Sequence, residues 1–204
     1  MLVGYSTYRS SQNPYSYVPT KPASSIPAWG SYVNHTVIFL LDGVRPDVLD
    51  RLSKPYIESQ TWANFTDVQC STLLSVSLPG ASVICSGANS TESGVTSNDY
   101  GTVFKGDTLW NETLRHGGTT AVCGSDEFQI MFGPWINYSI TVNSSAPGKE
   151  SFVFNRTNDG TPTVTMLADY RDSIIASYAG QVVQKYKPTF MVVRLSETDE
   201  SSQA

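Results

Sequence analysis

The sequence predicts an α/β fold built on a doubly wound, mostly parallel sheet. Two observations carry this. Three short apolar runs, at about 36–42, 119–123 and 189–194, lack polar alternation and read as strands buried on both faces. Segments with helical character lie between them, and strands alternating with helices argue for parallel pairing through crossovers. The 204 residues, 40% of them hydrophobic and 15% charged, suffice for one α/β domain with a sizeable core.

Residues 1–33 are rich in Ser, Tyr and Pro and lack periodicity. They read as an extended arm or linker ahead of a domain over 34–204. The first strand runs into Asp42. Gly43 permits a tight turn there, and Pro46 suits the first turn of a helix reaching about Lys54. Residues 55–76 are mixed, with Phe65 and Val68 as inward positions. Residues 78–86 read as a short buried helix beginning at Pro79 and ended by Gly87, and 89–99 as a polar loop. A helix over about 107–115 follows, with His116-Gly117-Gly118 as its C-terminal cap. After the second strand, residues 134–166 look like an insertion of short strands or hairpins. A long amphipathic helix covers about 168–186, where Ile174, Ile175, Tyr178, Val182 and Val183 recur near helical spacing. Pro188 marks its end, and the third strand then runs toward Ser196-Glu197-Thr198-Asp199. No internal repeat is present.

A net charge of −5 gives no footprint for nucleic acid, yet it does not exclude an anionic substrate. No apolar run approaches the length of a membrane span, and the first residues lack a signal-like apolar core. Asn-X-Ser/Thr acceptors are dense, at Asn34, Asn64, Asn89, Asn111, Asn137, Asn143 and Asn155. That density points to an extracytoplasmic, glycosylated surface, with any membrane anchor outside this segment. Cys70, Cys85 and Cys123 are an odd set, compatible with one disulfide and a free thiol whose pairing the sequence does not assign. Oligomeric state is left open.

Two aspartates follow two of the apolar strands, Asp42 after the first and Asp199 after the third. In open α/β sheets ligands bind at the carboxyl ends of strands, so the two carboxylates could share one crevice as metal ligands. The bland readings are a helix cap for Asp42 and a turn for Asp199. Ser77 sits just before the helix that holds Pro79. A helix N-terminus suits an incoming phosphate, and a serine there becomes a nucleophile when a metal or base lowers its pKa. The bland reading of Ser77 is a plain N-cap.

Together these stretches resemble the alkaline phosphatase superfamily, closest to its nucleotide pyrophosphatase/phosphodiesterase branch. Residues 37–47 resemble the strand-one motif, an apolar run followed by Asp-Gly-X-Arg-X-Asp. Residues 77–94 resemble the nucleophile motif, with Ser77, Pro79, Ser86-Gly87 and Ser93-Gly94 at the matching positions. Residues 109–124 resemble the next helix–strand unit, and 187–204 the lysine-proline, strand, Asp-X-X-Gly-His segment. The order and spacing fit over about 35–204, least well at 134–166.

The resemblance implies an alkaline-phosphatase-like fold and a metal-dependent phosphoryl-ester hydrolase, a phosphodiesterase or nucleotide pyrophosphatase acting through a phosphoserine. Ser77 would be the nucleophile. Asp42 and Ser77 would hold one metal and Asp199 the other, two zinc ions being the usual pair and Mn²⁺ or Mg²⁺ the alternatives. The substrate would be a small phosphodiester or nucleotide. Two departures stand out: Gly80 stands at the substrate-binding position where an asparagine would donate to the phosphate, and Gln203 stands at a metal-ligand position in place of a histidine. The two histidines, His35 and His116, fall in no ligand motif. The sequence is therefore expected to be the N-terminal part of a longer catalytic domain, inert by itself. The alternatives are a non-catalytic surface glycoprotein that keeps the fold, or a phosphotransferase, phosphomutase or sulfatase on the same scaffold. The sulfatase is disfavoured because Ser77-Leu78-Pro79-Gly80-Ala81 lacks the arginine of the Cys/Ser-X-Pro-X-Arg setting.

Overall fold

The chain folds as a mixed sheet with helices on both faces. The structure, a computed structural model, describes residues 34–44, 51, 59, 76–142, 151–156, 162–167 and 172–197. In chain order these form β1 (Thr36–Leu41), α1 (Ser77–Ser86), α2 (Ser90–Ser93), α3 (Leu109–Arg115) and β2 (Thr120–Ser125). Then come α4 (Asp126–Phe132), a 3₁₀ turn (Gly133–Trp135), β3 (Tyr138–Val142), β4 (Ser151–Arg156), β5 (Pro162–Leu167), α5 (Asp172–Tyr186) and β6 (Phe190–Leu195). The arm at 1–33, the helix expected near 46–54, Phe65 and Val68 lie outside the described residues, as do Cys70, Asn64 and Asn143.

The strand order is β1-β6-β2-β3-β4-β5. β1, β6, β2 and β3 pair parallel with one another, while the β3–β4 and β4–β5 pairs are antiparallel. The three strands expected from their apolar runs are thus parallel members of one sheet. Ile38 and Val122 both lie opposite Val192 of the central β6. The stretch expected to be an insertion of hairpins does contain β4 and β5, but its first strand, β3, is a parallel member of the main sheet. Its alternating sequence YSITV hides this, because Tyr138 and Ile140 serve one face while Ser139 and Thr141 are buried on the other.

The sheet separates two cores. On one face Val122, Phe190 and Val192 meet Leu78, Ala81 and Cys85 of α1, Trp110 of α3, and Phe128, Met131 and Phe132 of α4, with Ile38 and Leu40 at the side. Trp110 is fully buried, its ring stacked on Phe132 at 4.5 Å and edge-on to Phe190 at 5.5 Å. On the other face Ala121, Cys123, Met191 and Val193 meet Ile175, Ala179 and Val182 of α5. Ile175, Val182 and the partly buried Tyr178 are on the face that the sequence anticipated, whereas Ala179 was not among the expected positions and Val183 is exposed. Cys85 and Cys123 are free and belong to opposite cores, so they do not pair with each other.

Helix ends follow local chemistry. At the end of α3, Gly117 (φ 74°) lets its N–H reach Leu114 O at 3.0 Å and the Gly118 N–H reach Thr113 O at 3.0 Å. This is the glycine-dependent double closure expected at His116-Gly117-Gly118. The stretch expected to be a polar loop contains α2 instead. Asn89 accepts from Thr91 N and Glu92 N, and Glu92 accepts in return from Asn89 N, a capping box that nucleates one turn.

Two expectations need correction. β1 is not buried on both faces: Val37, Phe39 and Leu41 are exposed, Phe39 by 59%. The reason is position, since β1 pairs with β6 at the edge of the described sheet, while α5 packs over β2, β3 and β6. Asn111 is not an exposed glycan acceptor either. It is 9% exposed, and its Oδ1 accepts from Thr108 N at 2.6 Å and Thr108 Oγ1 at 3.0 Å. Asn137 is half-buried, with its Oδ1 accepting from Thr120 N at 2.9 Å. Protein from a glycosylating host should therefore be unmodified at Asn111, checked by peptide mass spectrometry. Asn111→Ala should cost about 1–2 kcal/mol in urea unfolding, because it strips the cap and leaves Thr108 groups unpaired.

Candidate functional site at the carboxyl edge of the parallel strands

Asp42 follows β1, where Gly43 adopts φ 69° and turns the chain. The Asp42 N–H donates to Leu195 O at 2.9 Å, so the aspartate is fixed beside the end of β6. Its carboxylate meets Arg194, the penultimate residue of β6. Arg194 donates to Asp42 Oδ2 from Nε at 3.2 Å and from Nη2 at 2.5 Å. Its Nη1 donates to Ser125 Oγ at 2.5 Å and to Glu127 Oε2 at 2.7 Å. One guanidinium thus joins the ends of β1, β6 and β2 to the first turn of α4.

Arg194 exposes 10% of its side chain, against 20% for Asp42 and 24% for Glu127. Burial works against its charge, but the hydrogen bonds and field of Asp42 and Glu127 more than offset that and hold its pKa above the ordinary value. The Phe128 ring lies 6.0 Å from the guanidinium carbon. β2 comes close at Gly124 (φ 150°), where a Cβ would lie 2.9 Å from Arg194 Cβ and 3.1 Å from Arg194 O. Beyond β6, Asp172 accepts from Ser196 N at 2.9 Å and Glu197 N at 3.2 Å, and Glu197 accepts from Asp172 N at 2.8 Å. That exchange ties the start of α5 to the chain leaving β6.

Ser77 is the first residue of α1 and is half-buried. The N-cap position belongs to Val76, with extended backbone and no side-chain cap bond. A capping role comes from elsewhere: Asn98 Oδ1 accepts the Leu78 N–H at 2.9 Å. The Ser77 hydroxyl makes no hydrogen bond to a described residue. Pro79 has no N–H, and the Gly80 N–H closes onto Val76 O at 3.0 Å. Gly80 therefore has neither a side chain nor a free N–H at this position. The next residue after Ser77, Leu78, packs in the same core as Ile38 and Leu40 of β1, which sets α1 against the sheet face.

The expected site residues are thus only partly in view. Asp42 is drawn to Arg194, whose other partners are Ser125 and Glu127, with no hydrogen bond to Ser77. Asp199 and Gln203 lie outside the described residues. Among the described residues no three histidine, cysteine or carboxylate side chains come together as a metal requires. A divalent cation on Asp42, roughly 4 Å from the guanidinium, would meet about 8 kcal/mol of repulsion at an effective dielectric of 20. The described donor set does not fit the metal pair that the resemblance implies. Arg194 itself was missed in the sequence; its signal was one charge inside the apolar run FMVVRL.

No protein-family model matches the sequence, and no curated protein matches it. Among solved structures the chain is similar to BT4656, solved in complex with its substrate D-glucosamine-2-N,6-O-disulfate. The TM-score is 0.50 at 15% identity, over 79% of this chain and 33% of that one. The chain has an alkaline-phosphatase-like α/β fold. At this identity the likeness is one of fold, and the chain spans about a third of BT4656.

Proposed function

We propose that the chain carries part of the catalytic domain of a phosphoryl-ester hydrolase, acting on phosphodiesters or nucleotide pyrophosphates, with Ser77 as nucleophile. One observation carries the reading: the Ser77 hydroxyl is not spent as a cap, because Val76 holds the cap position and Asn98 takes the Leu78 N–H. The alkaline-phosphatase-like fold supports it. In the proposed step Ser77 Oγ bonds to phosphorus as the ester oxygen leaves with a proton, and water then displaces the serine. A serine needs a base or a lowered pKa to act at neutral pH. No described carboxylate or imidazole hydrogen-bonds Ser77, so that help would come from outside the described residues. An extracytoplasmic location belongs to the same proposal, supported by exposed Asn34.

The test is turnover by the complete gene product on a p-nitrophenyl phosphodiester and on a sulfate ester, with Ser77→Ala beside the wild type. Phosphodiester turnover that falls at least about 10³-fold in Ser77→Ala is expected, as when a nucleophile is removed. Sulfate-ester turnover alone would move the assignment to a sulfatase. No turnover of either would favour the second reading, a non-catalytic protein that keeps the fold. The observation on that side is the guanidinium seated on Asp42.

A further inference from the structure

We infer that Asp42 serves as the counter-ion of Arg194 and not as a metal ligand, so that a guanidinium holds the cation position at the end of β1. Every nitrogen of the Arg194 guanidinium is engaged. Nε and Nη2 go to Asp42, and Nη1 to Ser125 and Glu127. A buried guanidinium retains its charge only where anions offset its lost hydration, and Asp42 and Glu127 are the two that touch it. Moving Asp42 to a metal would leave Glu127 as the sole carboxylate on a side chain 10% exposed. The arrangement is also built into the backbone: Asp42 is pinned through its N–H to Leu195 O, and β2 is brought against Arg194 by Gly124. Arg194 is therefore a positioning residue that sets the geometry of the whole edge. The inference concerns the edge of the proposed hydrolase site and stands whichever way the Ser77 test falls.

The experiment measures binding of Mn²⁺ alone and of Zn²⁺ alone by calorimetry, to the wild-type full chain and to Asp42→Asn, Arg194→Met and the double variant. Metal affinity within twofold of wild type in Asp42→Asn is expected. Urea midpoints should fall in each single variant and fall less in the double variant than the two losses combined, since one broken pair cannot be lost twice. A tenfold or greater loss of Mn²⁺ or Zn²⁺ affinity in Asp42→Asn would overturn the inference. For variants that do not fold, the wild type alone decides. The Arg194 Nε–H resonance should persist in saturating diamagnetic Zn²⁺, and its loss on addition of Zn²⁺ would overturn the inference. Turnover that is lost in Ser77→Ala, together with a metal-indifferent Asp42, would keep the nucleophile and remove only the metal role of Asp42.

Discussion

Stability should fall steeply between pH 9 and pH 12. Cys85 and Cys123 are free thiols with no measurable exposure, one in each core. Burial pushes the Cys123 thiol from its ordinary 9.0 up to about 12, and it raises the Cys85 thiol further in the same direction. The folded chain therefore holds these protons after the unfolded chain has released them. The contribution is complete below the unfolded pKa and is lost as pH climbs toward the folded one. Each thiol in that window changes stability by about 1.4 kcal/mol per pH unit, or about 4 kcal/mol for Cys123 across it. Against a usual total of about 5–15 kcal/mol, two such groups are enough to unfold the chain in alkali. Urea midpoints at pH 8, 9, 10 and 11 measure this, in the wild type and in Cys85→Ala and Cys123→Ala. Each variant starts lower, having lost packing, and its slope against pH should be shallower. Identical slopes in all three would assign the alkaline transition to tyrosines and lysines.

The parts of the fold legible in the sequence were those decided by one local rule. β1, β2 and β6 each hold a short apolar run. The core face of α5 shows helical spacing, and the end of α3 shows its glycine cap. The missed elements are ones in which two signals overlap. α4 follows β2 without a linker, so Gly124-Ser125 looks like the turn after a strand although Ser125 is both the end of β2 and the N-cap of α4. β3 reads as a hairpin strand because it alternates. β1 illustrates the reverse: its residues suit burial on both faces, and its place in the strand order, which no local pattern encodes, leaves one face open.

Asp42 was legible as a carboxylate at a strand end and Ser77 as a hydroxyl at a helix start, but what surrounds them was not. A carboxylate at the end of a buried strand looks the same whether a metal or a guanidinium awaits it. The partner, Arg194, is 152 residues away. Asn111 shows the same limit. Asn-Glu-Thr is an acceptor by spelling, and only the Thr108 cap three residues earlier and the burial of α3 make it structural. Sequence spacing anticipates which atoms are available, whereas competition among neighbours for those atoms is settled by tertiary packing.

Gly124→Ala should be the most damaging single-methyl change in the parallel sheet, costing about 2–4 kcal/mol. Two causes add. The backbone there has φ 150°, a conformation an L side chain rarely adopts, and the new Cβ would lie 2.9 Å from Arg194 Cβ, 3.1 Å from Arg194 O and 3.4 Å from Arg194 Cα. Two of those three atoms are main chain, so no rotamer change relieves the contact, and β2 must move away from β6. Arg194 sits in that pair, and moving it lengthens its bonds to Asp42, Ser125 and Glu127. Gly87→Ala is the control: Gly87 also has positive φ, at 72°, but nothing lies within 4 Å of a Cβ there. That variant should lose only the strain of the left-handed cap, about 1 kcal/mol. Equilibrium urea unfolding of both variants separates strain from crowding. If Gly124→Ala lost no more than Gly87→Ala, β2 would not be held against Arg194, and the tight joint that keeps the guanidinium on Asp42 would have to come from Asp42 and Glu127 alone.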